Sequence, residues 1–191
     1  MKAFLTTLTV GVAALSLVAC NNKTDGNAAS PADTQSAEAQ KAAGDQTIAA
    51  GLTTNAKFMG AAKAAGLDQT LAGPGPYTVI VADDAAFDAL PAGTYDGWMK
   101  PENRGKLTGV MTGMILSGTV LAEDLANAID TGKGKAVVAT IGGGTLTATK
   151  EGGKIVLTDA GGHKATVTQA DQKFSNGVVH HVDGLLLPSA A

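Results

Sequence analysis

An α+β domain is what this sequence predicts, and three observations carry that expectation. Apolar residues spaced among alanines, the pattern of short helices, dominate the first half after residue 47. From Val137 onward, strand-like stretches alternate with the glycine clusters Gly142-Gly143-Gly144, Gly152-Gly153 and Gly161-Gly162. Glycine makes up 25 of 191 residues, well above its usual share of about 7%, so many turns join short elements. Helices first and strands later give segregated layers rather than alternating βαβ units.

Each element has its own reason. Ile48, Leu52, Phe58 and Met59 lie among alanines and predict two short helices, with Asn55 placed to cap the second. Gly66 is a natural C-terminal cap for the helix through Lys63 and Ala65. Gly73-Pro74-Gly75-Pro76 forces a loop, and Tyr77 to Val81 has strand propensity. Asp83 or Asp84 can cap the short helix that carries Phe87 and Leu90. Pro101 suits the first position of a helix, with Leu107, Val110, Met111 and Met114 at core spacing behind it. Ala122 to Ile129 is a further short helix with Asp124 near its start, and the stretches around Val137-Val138, Leu146-Thr147, Ile155-Val156-Leu157 and Val167 form hairpins. Asn176-Gly177 is a turn signal. The apolar run after it, kinked at Asp183-Gly184 and stopped at Pro188, predicts a buried strand and then a second short one.

The chain's other end carries a different message. Lys2 precedes a largely apolar run from Ala3 to Val18, shorter than the ~20 residues of a spanning helix. A signal peptide over residues 1–19 is therefore expected. The run ends in Leu17-Val18-Ala19-Cys20, and Cys20 is the only cysteine, so no internal disulfide is possible. This segment resembles a bacterial lipobox, which implies that Cys20 receives diacylglycerol and becomes the mature N-terminus. Two acyl chains are enough for stable anchoring. Asn21 follows the cysteine where Asp would imply inner-membrane retention, so the outer membrane is favoured. The alternative is an ordinary signal peptide with Cys20 left as a free thiol.

Residues 21–46 contain no Val, Ile, Leu, Met or aromatic side chain. Ordering each would cost ~1–2 kcal/mol with little to bury in return, so residues 20–46 are expected to form a disordered tether. As a coil that tether spans roughly 25–30 Å. Residues 47–188 are one domain's worth of chain, followed by a tail of 189–191.

The formal charge is −3, and loss of the signal segment with Lys2 takes it to about −4. Arg104 is the only arginine, so bidentate phosphate or guanine recognition has little to work with. Nucleic acid is not an expected partner.

Two motifs carry a family resemblance. Asn176-Gly177-Val178-Val179-His180-His181-Val182-Asp183-Gly184-Leu185-Leu186-Leu187-Pro188 closely resembles the C-terminal signature of fasciclin domains. Tyr77-Thr78-Val79-Ile80-Val81-Ala82-Asp83-Asp84-Ala85-Ala86-Phe87 resembles the N-terminal one, with Ala82 and Asp83 where the family has proline and threonine. The match continues through Leu90 to Thr94 and Lys100 to Asn103, and departs at Gly113 to Gly118, where the family's Tyr-His pair is missing. Integrin recognition of the kind linked to that pair is therefore not expected. The resemblance implies N-terminal helices packed on a sandwich or wedge of short strands. It also makes Thr78, Asp84, Phe87, Asn176, Gly177, His180, Asp183 and Pro188 the family positions of this chain. Fasciclin domains are adhesion and matrix modules, so it implies a binding module rather than an enzyme.

Catalytic and cofactor motifs do not compete strongly with that reading. His180 and His181 are adjacent in a strand and point to opposite faces, so they cannot share one metal. The simplest expectation puts one hydrogen-bonded in the core and the other in solvent. His163 lies in a glycine turn and is expected to be exposed. Asp83 and Asp84 are explained by capping and turns. Gly132-Lys133-Gly134-Lys135 lacks the pattern of a P-loop, and neither a nucleophile elbow nor a zinc-protease helix occurs. No cofactor or metal is called for. Tyr95, Trp98 and Met99 are either core or an exposed apolar patch, with core favoured. The expected function is a lipid-anchored extracytoplasmic module in adhesion or in envelope or matrix interaction, with a protein or polysaccharide partner. The alternative is an envelope small-ligand protein or enzyme using Asp83, Asp84 or His180.

Overall fold

The computed structural model describes residues 44–187, so the leader, Cys20, most of the tether and Pro188 lie outside the described residues. Helices α1 (Ile48–Gly51), α2 (Ala56–Ala65) and α3 (Asp68–Ala72) come first. Strand β1 (Tyr77–Ala82) leads into α4 (Asp84–Asp88) and α5 (Thr94–Trp98). A 3-10 turn at Pro101–Asn103 runs straight into α6 (Arg104–Thr112). Then follow β2 (Ile115–Ser117), α7 (Ala122–Thr131) and five strands. These are β3 (Lys135–Ala139), β4 (Thr145–Glu151), β5 (Lys154–Thr158), β6 (Lys164–Phe174) and β7 (Gly177–Val182).

The α+β architecture is as expected, and its strands form one mixed sheet in the order β2-β1-β7-β6-β5-β4-β3. Strand β6 belongs to both halves of that sheet. It pairs with β7 on one side and β5 on the other, with register shifts at Val167/Gln169 and Gln169/Gln172. Such bulges bend a strand and increase its twist. The sheet curls until its two ends nearly meet: Leu116 bridges Thr140, and the Ile141 N–H donates to the Ile115 carbonyl at 2.9 Å. The wedge is therefore close to a barrel.

The predicted hairpins are all present, from β3 to β6, each joined by its glycine turn. The pairing of β1 with β7 is parallel, with Tyr77 beside Gly177 and Ala82 beside Val182. This brings the two family signatures side by side. Strand β1 is buried from Thr78 to Ala82, as a strand covered on both faces must be.

The helices bury the stripes that their spacing announces. Phe58, Ala61, Ala62 and Ala65 line the inner face of α2, at the i, i+3, i+4, i+7 positions of one helical stripe. Gly66 at φ +80° donates to the Lys63 carbonyl, and the Leu67 N–H reaches back to Ala62 at 2.8 Å. Those two bonds make the left-handed cap that favours glycine. Leu107, Val110, Met111 and Met114 are all buried. The Gln46 carbonyl accepts the Ser175 N–H at 2.9 Å, which ties Gln46 to the turn before β7.

One expected element is missing. After Asp183-Gly184 the chain bends, and residues 185–187 form no second strand. Leu185 and Leu186 are buried all the same. Their position is set by a side chain rather than by a ladder: Asp159 accepts the Leu187 N–H at 2.7 Å.

Candidate functional site

The family positions assemble two clasps and a closure. Asn176, 5% exposed, accepts the Ile48 N–H through Oδ1 at 2.8 Å and donates through Nδ2 to the Leu71 and Gly73 carbonyls, each at 2.8 Å. One amide therefore ties the start of β7 to α1 and to the end of α3, with its donors and acceptor satisfied. Gly177 lies against β1 so tightly that a Cβ there would stand 2.0 Å from the Tyr77 carbonyl oxygen.

Thr78 and His180 form the second clasp. The Thr78 hydroxyl donates to the Gly118 carbonyl and accepts the Val120 N–H, both at 2.8 Å. His180, 1% exposed, donates from Nε2 to the Val120 carbonyl at 2.8 Å and accepts the Asp171 N–H on Nδ1 at 3.2 Å. Both ring nitrogens are used, which fixes a neutral imidazole with its proton on Nε2. Burial pushes the His180 pKa below its usual 6.5, against the opposing pull of the Val120 carbonyl and the Asp171 carboxylate. Asp171 sits at φ +58° and also accepts the Ala122 N–H at the start of α7 at 2.8 Å. The clasp thus fixes the β2–α7 connection.

Asp183 supplies the closure, exchanging bonds with Thr166: its N–H donates to the Thr166 carbonyl at 3.1 Å and its carboxylate accepts the Thr166 N–H at 2.7 Å. Phe87 is buried and meets Tyr95 edge-on with ring centroids 5.6 Å apart. Tyr95 and Trp98 pack against the core, while Met99 is the exposed member of that trio.

Three side-chain expectations need correction. Asn55 stands at the N-cap of α2 without capping it. Neither Asp83, which stands at the N-cap of α4, nor Asp84 caps that helix with its side chain; Asp84 Oδ1 instead accepts the Lys57 N–H at 3.2 Å in the first turn of α2. A carboxylate from one helix has taken over the cap of another, where the helix dipole also favours it. His181 is not in solvent. It is half-buried, 2.8 Å from the Gln172 amide oxygen and 3.5 Å from Asp83. His163 is exposed, as expected, and also pairs with Asp159 through Nδ1 at 2.9 Å.

These corrections relocate the polar site. His180 does not join Asp83 and Asp84, because it is sealed in the second clasp. His181 does join them, since successive strand residues face opposite ways. Asp83, Asp84 and His181 line an open recess of about 480 Å³ together with Asn55, Thr168 and Gln169. Among the described residues no group of three or more His, Cys, Asp or Glu is arranged to hold a metal ion. A smaller cleft of about 260 Å³ lies between Gly109 and Gly113 of α6 and the Gly142 to Gly144 turn, with Asp159 at its wall.

The sequence reading missed Asp159, Asp171 and Gln169. Asp159 had a signal, since an Asp just before Ala-Gly-Gly is a side-chain turn former. Asp171 and Gln169 sit at the bulges of a long strand, and no local pattern marks them.

Known proteins agree with this architecture. Residues 54–188 match the fasciclin domain family. Protein sll1483 of Synechocystis is 37% identical over 142 residues, covering 74% of this chain and 71% of that protein. A solved FAS1 domain pair from the insect cell adhesion molecule Fasciclin I shares the fold at a TM-score of 0.64 and 16% identity over 74% of this chain. The chain spans about half of that structure, 51% of its length. On the extent of the family match and the 37% identity, this chain belongs to the fasciclin family.

Proposed function

We propose that this chain is a membrane-anchored extracytoplasmic binding module acting in adhesion or in envelope or matrix interaction. The observation that carries it is a fasciclin domain placed downstream of a lipobox-like leader and a tether poor in apolar residues. In this reading residues 1–19 are removed, Cys20 carries acyl chains, residues 20–46 hold the domain clear of the headgroups, and 47–188 bind. The partner is a protein or polysaccharide of the envelope, and the outer membrane is the favoured location.

Pull-down of envelope extract with the full chain, alongside a polysaccharide array, tests the binding role. Repeated failure to retain any polymer or protein rejects it. For the anchor, Cys20→Ala should abolish labelling by a palmitate analogue and partition into detergent. A native mature N-terminus other than an acylated Cys20, read by mass spectrometry, rejects the anchor.

A further inference from the structure

We infer that the recess beside β7 is the ligand site of this module, and that it takes a hydroxyl-rich ligand, a sugar unit of a polysaccharide. The inference rests on the binding reading above and gives it a place and a chemistry.

The recess has a reason to be polar. Asn55 is 7% exposed, yet its Nδ2 makes no hydrogen bond among the described residues. Its Oδ1 has only a long 3.4 Å contact from the Thr54 hydroxyl. An asparagine at an N-cap ordinarily spends its side chain on the helix. Here Asp84 caps the helix instead, which leaves the Asn55 amide at the recess wall. The Asp83 side chain is 42% exposed, and its Oδ1 lies 3.5 Å from His181 Nδ1. Gln169 is exposed, and its amide makes no hydrogen bond among the described residues. All the residues lining the recess are polar.

Ligand chemistry follows by elimination. An apolar ligand would bury nothing against these groups. Two carboxylates repel an anion, and no group of three His, Cys, Asp or Glu among the described residues is arranged to hold a metal ion. An ammonium could satisfy Asp83 and Asp84 but would leave the donors of Asn55 and Gln169 idle, because it has no acceptor. A hydroxyl both donates and accepts. Adjacent sugar hydroxyls can donate to the carboxylates while accepting from the two amides. At about 480 Å³ the recess lies in the range of small-ligand sites, and its open side lets a unit within a polymer chain enter.

The test uses the detergent-solubilised full chain on an array of neutral polysaccharides, in parallel with envelope-protein pull-down. Asn55→Ala, Asp83→Ala and Gln169→Ala are compared with the unaltered protein, and thermal unfolding checks that each variant is folded. The expected result is retention by at least one polysaccharide, reduced roughly tenfold by each variant, the scale of one lost ligand hydrogen bond. The Gln169 side chain makes no hydrogen bond to another element among the described residues, so its variant answers even if Asn55→Ala fails to fold. Retention unchanged in all folded variants overturns the site while leaving the binding role intact. Capture of protein partners with no polysaccharide retained overturns the ligand class alone. Retention of nothing overturns both.

Discussion

Asn176 and Ile48 are joined by a 2.8 Å hydrogen bond across 128 residues of chain. The same asparagine side chain holds the carbonyls that end α3, so one buried amide sets where three elements meet. Asn176→Ala would orphan the Ile48 N–H and two carbonyls at once. At ~1–3 kcal/mol for an unsatisfied buried group, the expected loss is about 2–4 kcal/mol in urea unfolding. Asn176→Asp keeps the acceptor but turns a carboxylate oxygen toward two carbonyls, so it should be no better than alanine.

Gly177 and Gly143 both sit at positive φ, and only Gly177 adds a close approach. A Cβ at Gly177 meets a β1 carbonyl at 2.0 Å, whereas Gly143 at φ +81° has nothing within 4 Å of its Cβ position. Gly143→Ala should cost roughly 1–2 kcal/mol of left-handed strain alone. Gly177→Ala should cost more than that, or prevent folding, because backbone cannot yield as a side chain can. The midpoints of thermal unfolding rank the two.

His180 makes stability depend on pH with a definite sign. Its folded pKa lies below its unfolded value of 6.5, so the unfolded chain takes up the proton first. The His180 contribution is complete above about 6.5 and is lost progressively as pH falls from there through the folded value. Protonation would also set an N–H on Nδ1 against the Asp171 N–H. Denaturant unfolding at a series of pH values should show this slope, and His180→Gln should remove it.

Asp159 is expected to act as a pin for the chain's end. Its carboxylate, 2% exposed, accepts the backbone N–H groups of His163 at 2.9 Å and Leu187 at 2.7 Å. Asp159→Ala should destabilise the domain by about 2–3 kcal/mol. Amide exchange at residues 185–187 should rise more than exchange in β4, and equal rises in both would refute the pin.

What could be read beforehand was local. Gly66, the β3–β6 hairpins and the buried stripe of α6 each follow from neighbours within a few residues, and each is in place. Asn176 was legible as a turn, but its side-chain partners lie 103 to 128 positions away. Asp84 was legible as a capping residue, though not for which helix, because Lys57 comes from a separate element. The choice between His180 and His181 for the polar recess turned on strand facing, which sequence leaves undetermined until the register is known. The expected strand after Gly184 failed because burial of Leu185 and Leu186 needs no ladder when Asp159 holds the backbone.

The position of β7 bears on how the chain can be made. It is the last strand among the described residues, yet it lies between β1 and β6. Until it arrives, β1 and β2 are joined to the other strands only by the edge contact of Leu116 with Thr140. The β1–β7 ladder joins residues 100 apart, from Tyr77 with Gly177 to Ala82 with Val182, and pairings so distant place a domain among the slow folders. An emerging polypeptide therefore cannot complete this sheet until residues 177–182 have left the ribosome, and a chain cut short before Gly177 loses an interior strand rather than an edge.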